Sequence, residues 1–392
     1  MKIDEISWES ELDLDVVEPS VLQALNTKKL FRYQYKKAES AVNKLEDLVG
    51  RYVGTQYSLA TSSATNAIFL ALKSVGVNAN SKVLIPAFTF TAVPSAVLQC
   101  GAEPVLVEIT ENYVIDLNDL KQKIFLSGAK FLLLSHMRGH LCNMDEVVSI
   151  CNDNSIILIE DAAHALGVKW NGKHAGTFGS AGVYSLQSYK IINAGEGGLL
   201  VTNDPDIYWK SVFMSGSYEK NYLSHSSDAH DIAEKYINKL PVFNVRMNVL
   251  TASIAIPQLM KIEETITHVN ANYSKFKSNV SPNKLIQFPE ENIKVRPVRD
   301  SAQIRIKMTT ENLIKLKSKL NNASMPISFF GGKDNTNARL YQNWKFLNSE
   351  NISLPNTDRN LSQVFDVRLP IHFSSKEISA ISDLILSELS DI

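Results

Sequence analysis

Apolar residues in the first two hundred positions follow two patterns. Short continuous runs, Tyr57–Thr61, Lys82–Ile85, Pro104–Ile109, Phe131–Ser135, Ile156–Asp161, Ala181–Leu186 and Leu199–Thr202, are bounded by glycine, proline or polar turns. Such runs read as strands buried on both faces, as in a largely parallel sheet. Between them the apolar spacing is three to four. In residues 38–52, Ala41, Leu45, Leu48 and Val49 share one face, and Gly54 ends the helix. Ser62-Ser-Ala-Thr-Asn-Ala67 opens an apolar helix through Leu72, a further helix runs to about Leu98, and Asp145–Asn152 reads as helical. Trp170-Asn-Gly-Lys173 is a hairpin signal. About seven strands interleaved with helices predict an α/β fold, a mostly parallel sheet flanked by helices.

The rest of the chain is less regular. Residues 1–35 show no clear period and read as an arm ending in Lys29-Leu-Phe-Arg-Tyr33. Residues 205–240 are polar and charged, with His225 and His230, and are expected to form a mobile segment near the mouth of the site. Phe243–Asn248 leads into a helix from Val249 to about Ile262, and shorter mixed elements are expected from about residue 265. These include a strand at Arg305–Lys307, a helix at Thr310–Leu320 and a loop-rich Asn351–Leu369. Ile378, Ile381, Leu384, Ile385 and Leu389 mark a terminal amphipathic helix over Ser375–Leu389. The expected division is a large domain over 1–255 and a smaller α+β domain over 256–392.

Composition narrows the function classes. The 392 residues are 44% hydrophobic and 21% charged, enough for a large core. A formal charge of −1 supplies no field that would draw nucleic acid or an anionic membrane, and no basic stripe or helix-turn-helix pattern is seen. No apolar run approaches the ~18 residues of a membrane span, and the acidic first residues lack the apolar core of a signal peptide. Cys100, Cys142 and Cys151 form no CxxC pair, which fits a reducing, cytoplasmic setting. His136, His140 and Cys142 match no standard zinc spacing, so no metal is expected.

The candidate chemistry centres on Lys190. It follows the strand Ala181–Leu186 on a loop closed by Gly195, Gly197 and Gly198, and strand ends are where α/β proteins place chemistry. A lysine on a loop is by itself most simply a surface residue; its neighbours in the chain change that. Asp161 ends a buried apolar strand. Ser62–Thr65 opens a helix whose free N–H groups and positive dipole end can seat a phosphate. Phe88 and Phe90 alternate with Thr89 and Thr91, so one ring can join the core and the other lie over a planar ligand. The glycine run lacks the GK[ST] ending of a nucleotide loop, and no GxGxxG follows a strand. A lysine for a Schiff base, a carboxylate for a ring nitrogen, donors for a phosphate and flat groups for a ring are together what pyridoxal phosphate requires. Lys190, Asp161, Ser62–Thr65 with Ser185, and Phe90 with Ala163 supply them.

In these segments the chain resembles the sugar aminotransferase family called DegT/DnrJ/EryC/StrS, of the aspartate aminotransferase fold. The similarity runs from Leu30 to Phe373. It is carried by Pro86-Ala-Phe-Thr-Phe-Thr-Ala92, Gly101–Val107, Glu160-Asp-Ala-Ala-His-Ala-Leu-Gly167, Thr177–Gly179, Ser185–Lys190, Gly195–Gly198, Asn244-Val-Arg-Met247 and Leu369-Pro-Ile-His372. The resemblance implies that Lys190 holds the cofactor and moves protons, and that Asp161 pairs with the ring nitrogen. Phe90 and Ala163 would flank the ring, and His164 would lie near its phenolic oxygen. Ser63, Ala64, Thr65 and Ser185 would hold the phosphate, with Asn244 reaching it from the partner of a homodimer with shared sites. It implies L-glutamate as amino donor and a keto sugar as acceptor. Glycine is usual in the family where Ala64 stands, so a tighter or shifted phosphate loop is expected. Relatives with histidine in place of the lysine are sugar dehydratases; Lys190 favours transamination. The Leu30–Tyr33 segment and the His136-Met-Arg-Gly-His140 loop resemble those of relatives that act outside the usual UDP- and dTDP-hexoses, which implies as one candidate acceptor an eight-carbon sugar acid, giving 8-amino-3,8-dideoxy-manno-octulosonate for lipopolysaccharide. Arg138 or Arg246 would then meet its carboxylate. The alternative is a UDP- or dTDP-linked 3- or 4-keto-hexose.

Overall fold

The computed structural model describes residues 3–36, 39–226, 230–332, 334–347 and 352–392. The first residues of the expected arm, Ala38, part of the 205–240 stretch and Asn351 therefore lie outside the described residues. The buried runs form one sheet. Its strands are β1 (Tyr57–Thr61), β2 (Lys82–Pro86), β3 (Glu103–Val107), β4 (Phe131–Ser135), β5 (Ile157–Asp161), β8 (Ala181–Ser185) and β9 (Gly198–Thr202), within a residue or two of the ranges read from the sequence. Between β5 and β8 comes the predicted hairpin, β6 (Lys169–Trp170) and β7 (Lys173–His174). The seven long strands lie in the order β1-β9-β8-β5-β4-β2-β3. Neighbours from β3 through β8 are parallel, and β9 runs antiparallel to both β8 and β1.

Helices cover both faces: α2 (Ala41–Val53), α3 (Ala64–Ser74), α4 (Ala92–Gln99), α5 (Leu117–Ser127) and α6 (Met144–Asp153), after α1 (Leu14–Asn26). Alternation divides the core. Leu59 and Leu200 join the α3 and α4 side with Ile68, Phe69 and Val97, whereas Ala60, Leu199 and Val201 join Val42, Leu45 and Val49 of α2. Glu160, in the middle of β5, is fully buried. Its carboxylate accepts from the backbone N–H groups of Gly176 (2.8 Å), Phe178 (2.5 Å) and Gly179 (2.8 Å) and meets His136 Nε2 at 2.8 Å. Four partners satisfy a charge that would otherwise be prohibitive there.

The weaker expectations need correction. The arm contains α1, capped by Asp13 and packed on α9 (Val249–Met260). Only Val17 and Ala24 of α1 are buried, and Leu14, Leu22 and Leu25 are exposed, so its apolar stripe is faint in the sequence. The described part of the 205–240 stretch is largely helical rather than irregular. It holds α7 (Pro205–Gly216), which buries Trp209, Val212 and Phe213, and α8 (His230–Tyr236). His225 is buried against Tyr208 and Tyr33.

Beyond Met260 the chain first forms α10 (Ile262–Val280), the longest helix among the described residues, and the expected shorter mixed elements begin only after it. Its buried face, Ile262, Ile266, Val269, Tyr273, Phe276 and Val280, has regular spacing, but the intervening Thr and Asn residues are poor helix formers. There follow β10 (Ile286–Gln287), β11 (Val295–Arg296), β12 (Ser301–Ile306), α11 (Thr310–Asn322) and β13 (Ser328–Phe329). The segment expected to be loop-rich carries α12 (Pro355–Leu361) and the buried strand β14 (Val364–Arg368). A second sheet, β10-β12-β14-β13, packs against α10, α11 and α13 (Ser375–Ser390), while β11 joins β6 and β7.

One buried ion pair ties the lead-in to the large sheet. Arg32, 1% exposed, donates to both carboxylate oxygens of Glu46 (2.8 and 3.0 Å) and to Asn43 Oδ1 (3.2 Å). Glu46 Oε1 also accepts from the backbone of Ala60 in β1 at 2.8 Å. Removing one partner strands the other charge, so Arg32→Ala should lower stability by about 3–5 kcal/mol in urea titrations. Arg32→Lys should recover only part of that, because an ammonium cannot bind both oxygens in the same fork.

Candidate active site

Strand register brings the predicted residues together. Ser135 is paired with Asp161, and Asp161 with Val183, so three strands end side by side. Asp161 accepts from Ser135 Oγ at 2.9 Å and from the Ala163 N–H at 3.1 Å. Burial pushes its carboxyl above the usual carboxylate range, while those two bonds and the Lys190 charge oppose the rise. A cationic ligand group would favour the ionised form.

Because β9 is antiparallel, its first residue, Gly198, lies opposite Ser185 on one side and Thr61 on the other. The start of α3 is thereby set against the end of β8. Ser63 caps α3 by accepting from the Asn66 N–H at 3.2 Å, and Thr61 Oγ1 donates to the Ser63 carbonyl at 2.9 Å. Among the described residues the N–H groups of Ala64 and Thr65 have no acceptor. A Cβ on Gly198 would stand 2.4 Å from the Ser63 carbonyl carbon, so only glycine allows this approach. Ala64 takes ordinary helical backbone, and no left-handed residue is needed where the family usually has glycine.

Lys190 lies on a loop closed by bonds from the Leu186 N–H to the Gly197 carbonyl and from the Ser188 N–H to the Gly195 carbonyl. Its Nζ is 2.7 Å from His164 Nε2. Burial, then the positive charge of Arg138, lowers the ammonium pKa to about 7. Burial and Lys190 hold His164 well below the usual histidine range, so its ring is neutral. Ser63, Ala64, Thr65, Phe90, Asp161, Ala163, His164, Ser185 and Lys190 all line one cavity of about 620 Å³. Phe90 is 44% exposed and lines that space, whereas Phe88 is buried against Tyr113 and Phe330. Asn244 does not line the cavity; it is exposed, with a left-handed backbone (φ 56°).

The DegT/DnrJ/EryC1/StrS aminotransferase family matches residues 20–385. The chain belongs to that family. GDP-perosamine synthase of Escherichia coli O157:H7 is 30% identical over 251 residues, 64% of this chain and 65% of that protein. With the next two such relatives the match spans 54% and 58% of their length, so the chain is aligned to roughly half to two thirds of these curated proteins. The crystal structure of 3-amino-5-hydroxybenzoic acid synthase superposes with a TM-score of 0.83 at 24% identity, covering 99% of each chain. Spr1654 from Streptococcus pneumoniae, in its PLP form, superposes with a TM-score of 0.84 at 18% identity over 98% of this chain and 99% of that one. The fold is that of the fold type I pyridoxal phosphate enzymes, and pyridoxal phosphate is the cofactor of this family.

The residues present fit that cofactor. The open N–H groups of Ala64 and Thr65 and the Ser185 hydroxyl form an anion seat pressed in by Gly198, and among the described residues the buried Asp161 makes no ion pair. The His136–His140 loop divides its residues. His136 is locked to Glu160, and His140 Nε2 meets Gln303 Oε1 at 2.7 Å outside the cavity, while Arg138 reaches into it. Among the described residues no three metal-ligating side chains cluster, and no helix is long and apolar enough to cross a membrane. Arg246 is not in the cavity; it stacks on Phe31 and Tyr218 and donates to the Gly216 carbonyl. Tyr189, Glu196, Arg339 and Arg368 also line the cavity and had not been singled out. Arg339 comes from a remote segment with no local motif to flag it, whereas Arg368 directly precedes the Leu369–His372 motif.

Two outcomes follow from this geometry. Covalent capture of pyridoxal phosphate by the apoenzyme, followed by absorbance, should rise with pH through about 7, because Lys190 must lose its proton to react; a midpoint near 10 would contradict the burial of its amine. Gly198→Ala should weaken cofactor retention in equilibrium dialysis by at least tenfold while leaving the far-ultraviolet dichroism of the fold in place.

Proposed function

We propose that this chain is a pyridoxal phosphate-dependent aminotransferase that moves the amino group of L-glutamate to a keto sugar in surface polysaccharide or lipopolysaccharide synthesis. The observation that carries this is the convergence of Lys190, Asp161 and the start of α3 on one cavity, in a chain of an aminotransferase family. When bound, pyridoxal phosphate supplies an aldehyde that condenses with amines and a ring that stores an electron pair. The protein supplies position and protons. Ala64, Thr65 and Ser185 would hold the phosphate, and Phe90 and Ala163, which line the same cavity, would flank the ring. Asp161 keeps the ring nitrogen protonated. Lys190 would tether the cofactor, and its Nζ, as an amine with a pKa near neutrality, could take and return a proton there. Neutral His164, hydrogen-bonded to that nitrogen, orients it.

The acceptor we favour is a free eight-carbon keto sugar acid, an 8-oxo-3-deoxy-octulosonate aminated to 8-amino-3,8-dideoxy-manno-octulosonate. Three guanidiniums around the cavity, Arg138, Arg339 and Arg368, support an anionic acceptor. The likeness to GDP-perosamine synthases supports the nucleotide-linked alternative, a keto-hexose. A homodimer with Asn244 directed to the partner's site is part of the proposal. Asn244 is exposed and off its own cavity, beside the exposed Val242 and Phe243.

Lys190→Ala should lose the borohydride-fixable visible chromophore and all turnover, and normal turnover by that variant would sink the assignment. Asp161→Asn should keep bound cofactor yet slow transamination by at least a hundredfold, since the ring loses its charged partner. With glutamate as donor, turnover of a free keto sugar acid but not of a nucleotide-linked keto-hexose would support the favoured acceptor; the opposite result would transfer support to the alternative.

A further inference from the structure

Residues 3–10 precede the large sheet in the chain, yet they pack on the second one. Ile6 is buried in the core beneath that sheet, and Ile3 and Trp8 lie against it. Trp8 meets Phe373 edge to face, with ring centroids 5.3 Å apart, and the Ser7 carbonyl accepts from His372 Nε2 at 3.0 Å. The chain then crosses to the Lys190 loop. Glu9 accepts from the Tyr189 hydroxyl at 2.6 Å, and Ser10 Oγ accepts from Asn193 Nδ2 at 3.1 Å. After Ser10 the exposed Glu11, Leu12 and Asp13 take no regular structure before α1 begins.

This crossing falls beside Lys190. Ser10, Tyr189, Lys190 and Pro370 line a cleft of about 20 Å³, and Tyr189 and Lys190 also line the main cavity. The loop is held on its far side by α9. The Asn193 N–H donates to Gln258 Oε1 at 2.9 Å, and Gln258 Nε2 donates to the Asn193 carbonyl at 2.7 Å. On the near side stands Tyr189, next to Lys190 in the chain. It is 39% exposed, and its ring carries the Arg368 guanidinium 4.0 Å from the centroid. The Glu9 carboxylate raises the Tyr189 pKa, so the phenol remains the donor at neutral pH. A charge-assisted bond is stronger than a neutral one, but water competes for it at the surface. Short, polar, exposed contacts suit a latch that closes and reopens, and the buried Ile6 suits an anchor.

We propose that Ser7–Ser10 is a strap that closes the cavity beside Lys190, with Ile6 as its anchor and the Glu9–Tyr189 bond as its latch. Glu9 acts through Tyr189 and is a positioning residue. Latched, it holds the backbone next to Lys190 and so keeps Nζ in place. For its effect on turnover the inference rests on the transamination reading. Its effect on the loop stands apart and is read by amide exchange.

The experiment compares the holoenzyme with Glu9→Ala, Glu9→Gln, Tyr189→Phe and the Glu9→Ala/Tyr189→Phe double variant. Glu9 is exposed, and phenylalanine at 189 keeps a ring under Arg368, so the fold is retained. In hydrogen–deuterium exchange read by mass spectrometry, the segment Leu186–Gly197 should exchange about 5–10-fold faster in Glu9→Ala and in Tyr189→Phe, the range expected for losing one hydrogen bond. In single-turnover absorbance the rate at saturating L-glutamate should fall by a similar factor, with the half-saturating concentration within about threefold of the parent. The double variant should lose little more than either single one, since both remove the same bond. Glu9→Gln should recover most of both effects, because its side-chain carbonyl still accepts from the phenol. Unchanged loop exchange in both single variants would overturn the proposal, as would faster exchange with rates within about twofold of the parent. If exchange rises as expected while no amino donor alters the cofactor spectrum of the parent, the strap stands and the transamination reading falls.

Discussion

Gly198 lies where β1, β8 and the start of α3 meet, opposite Thr61 on one side and Ser185 on the other, with the Ser63 carbonyl where a Cβ would be. This close approach depends on β9 running antiparallel between two strands that point the same way. A parallel strand in that slot would present its far end to Ser185, and the N–H groups of Ala64 and Thr65 would have no hydroxyl beside them. The remaining register then places Asp161 beside Ser135 and one strand from Ser185. Anion seat, carboxylate and lysine loop thus share one edge of one sheet, the edge at which open α/β sheets take ligands.

The ionisable groups at this edge are largely buried, and their electrostatics follow from that. Burial raises the carboxyl pKa of Asp161 and lowers the pKa values of Lys190 and His164, so each is displaced toward its neutral form. For Lys190 the neutral form is the nucleophile and base that transamination needs. For Asp161 the displacement is a demand for a cation, which a protonated ring nitrogen meets. The protein spends its polar partners on scaffolding instead: four on Glu160, two carboxylate oxygens of Glu46 on Arg32, and one carboxylate, Asp366, on Arg138.

Much of the large sheet was legible in the chain because its strands are continuous apolar runs buried on both faces, and such runs have few other uses at that length. Lys190, Asp161 and Ser63–Thr65 stood out for a related reason: each directly follows or ends such a run. α10 was missed although its apolar spacing is regular, because Thr and Asn between the core positions weaken the helix signal and packing against the second sheet supplies what propensity does not. α1 was missed because most of its apolar residues remain exposed. α7 was taken for a mobile polar stretch because the polar residues after it dominate the average over a window that includes its buried Trp209 and Phe213.

By itself the sequence determined the strands, the helix caps and the residue types at strand ends, since these depend on neighbours within one or two turns of chain. Only the tertiary structure decided which of two phenylalanines faces the cavity and that His140 and Arg246 lie outside it. It also decided that Asp366 pairs with Arg138, and that among the described residues the buried Arg339 Nε has no hydrogen-bond partner. Those outcomes turn on pairings between segments far apart in the chain, where burial and charge are set by whichever side chain the fold delivers from elsewhere.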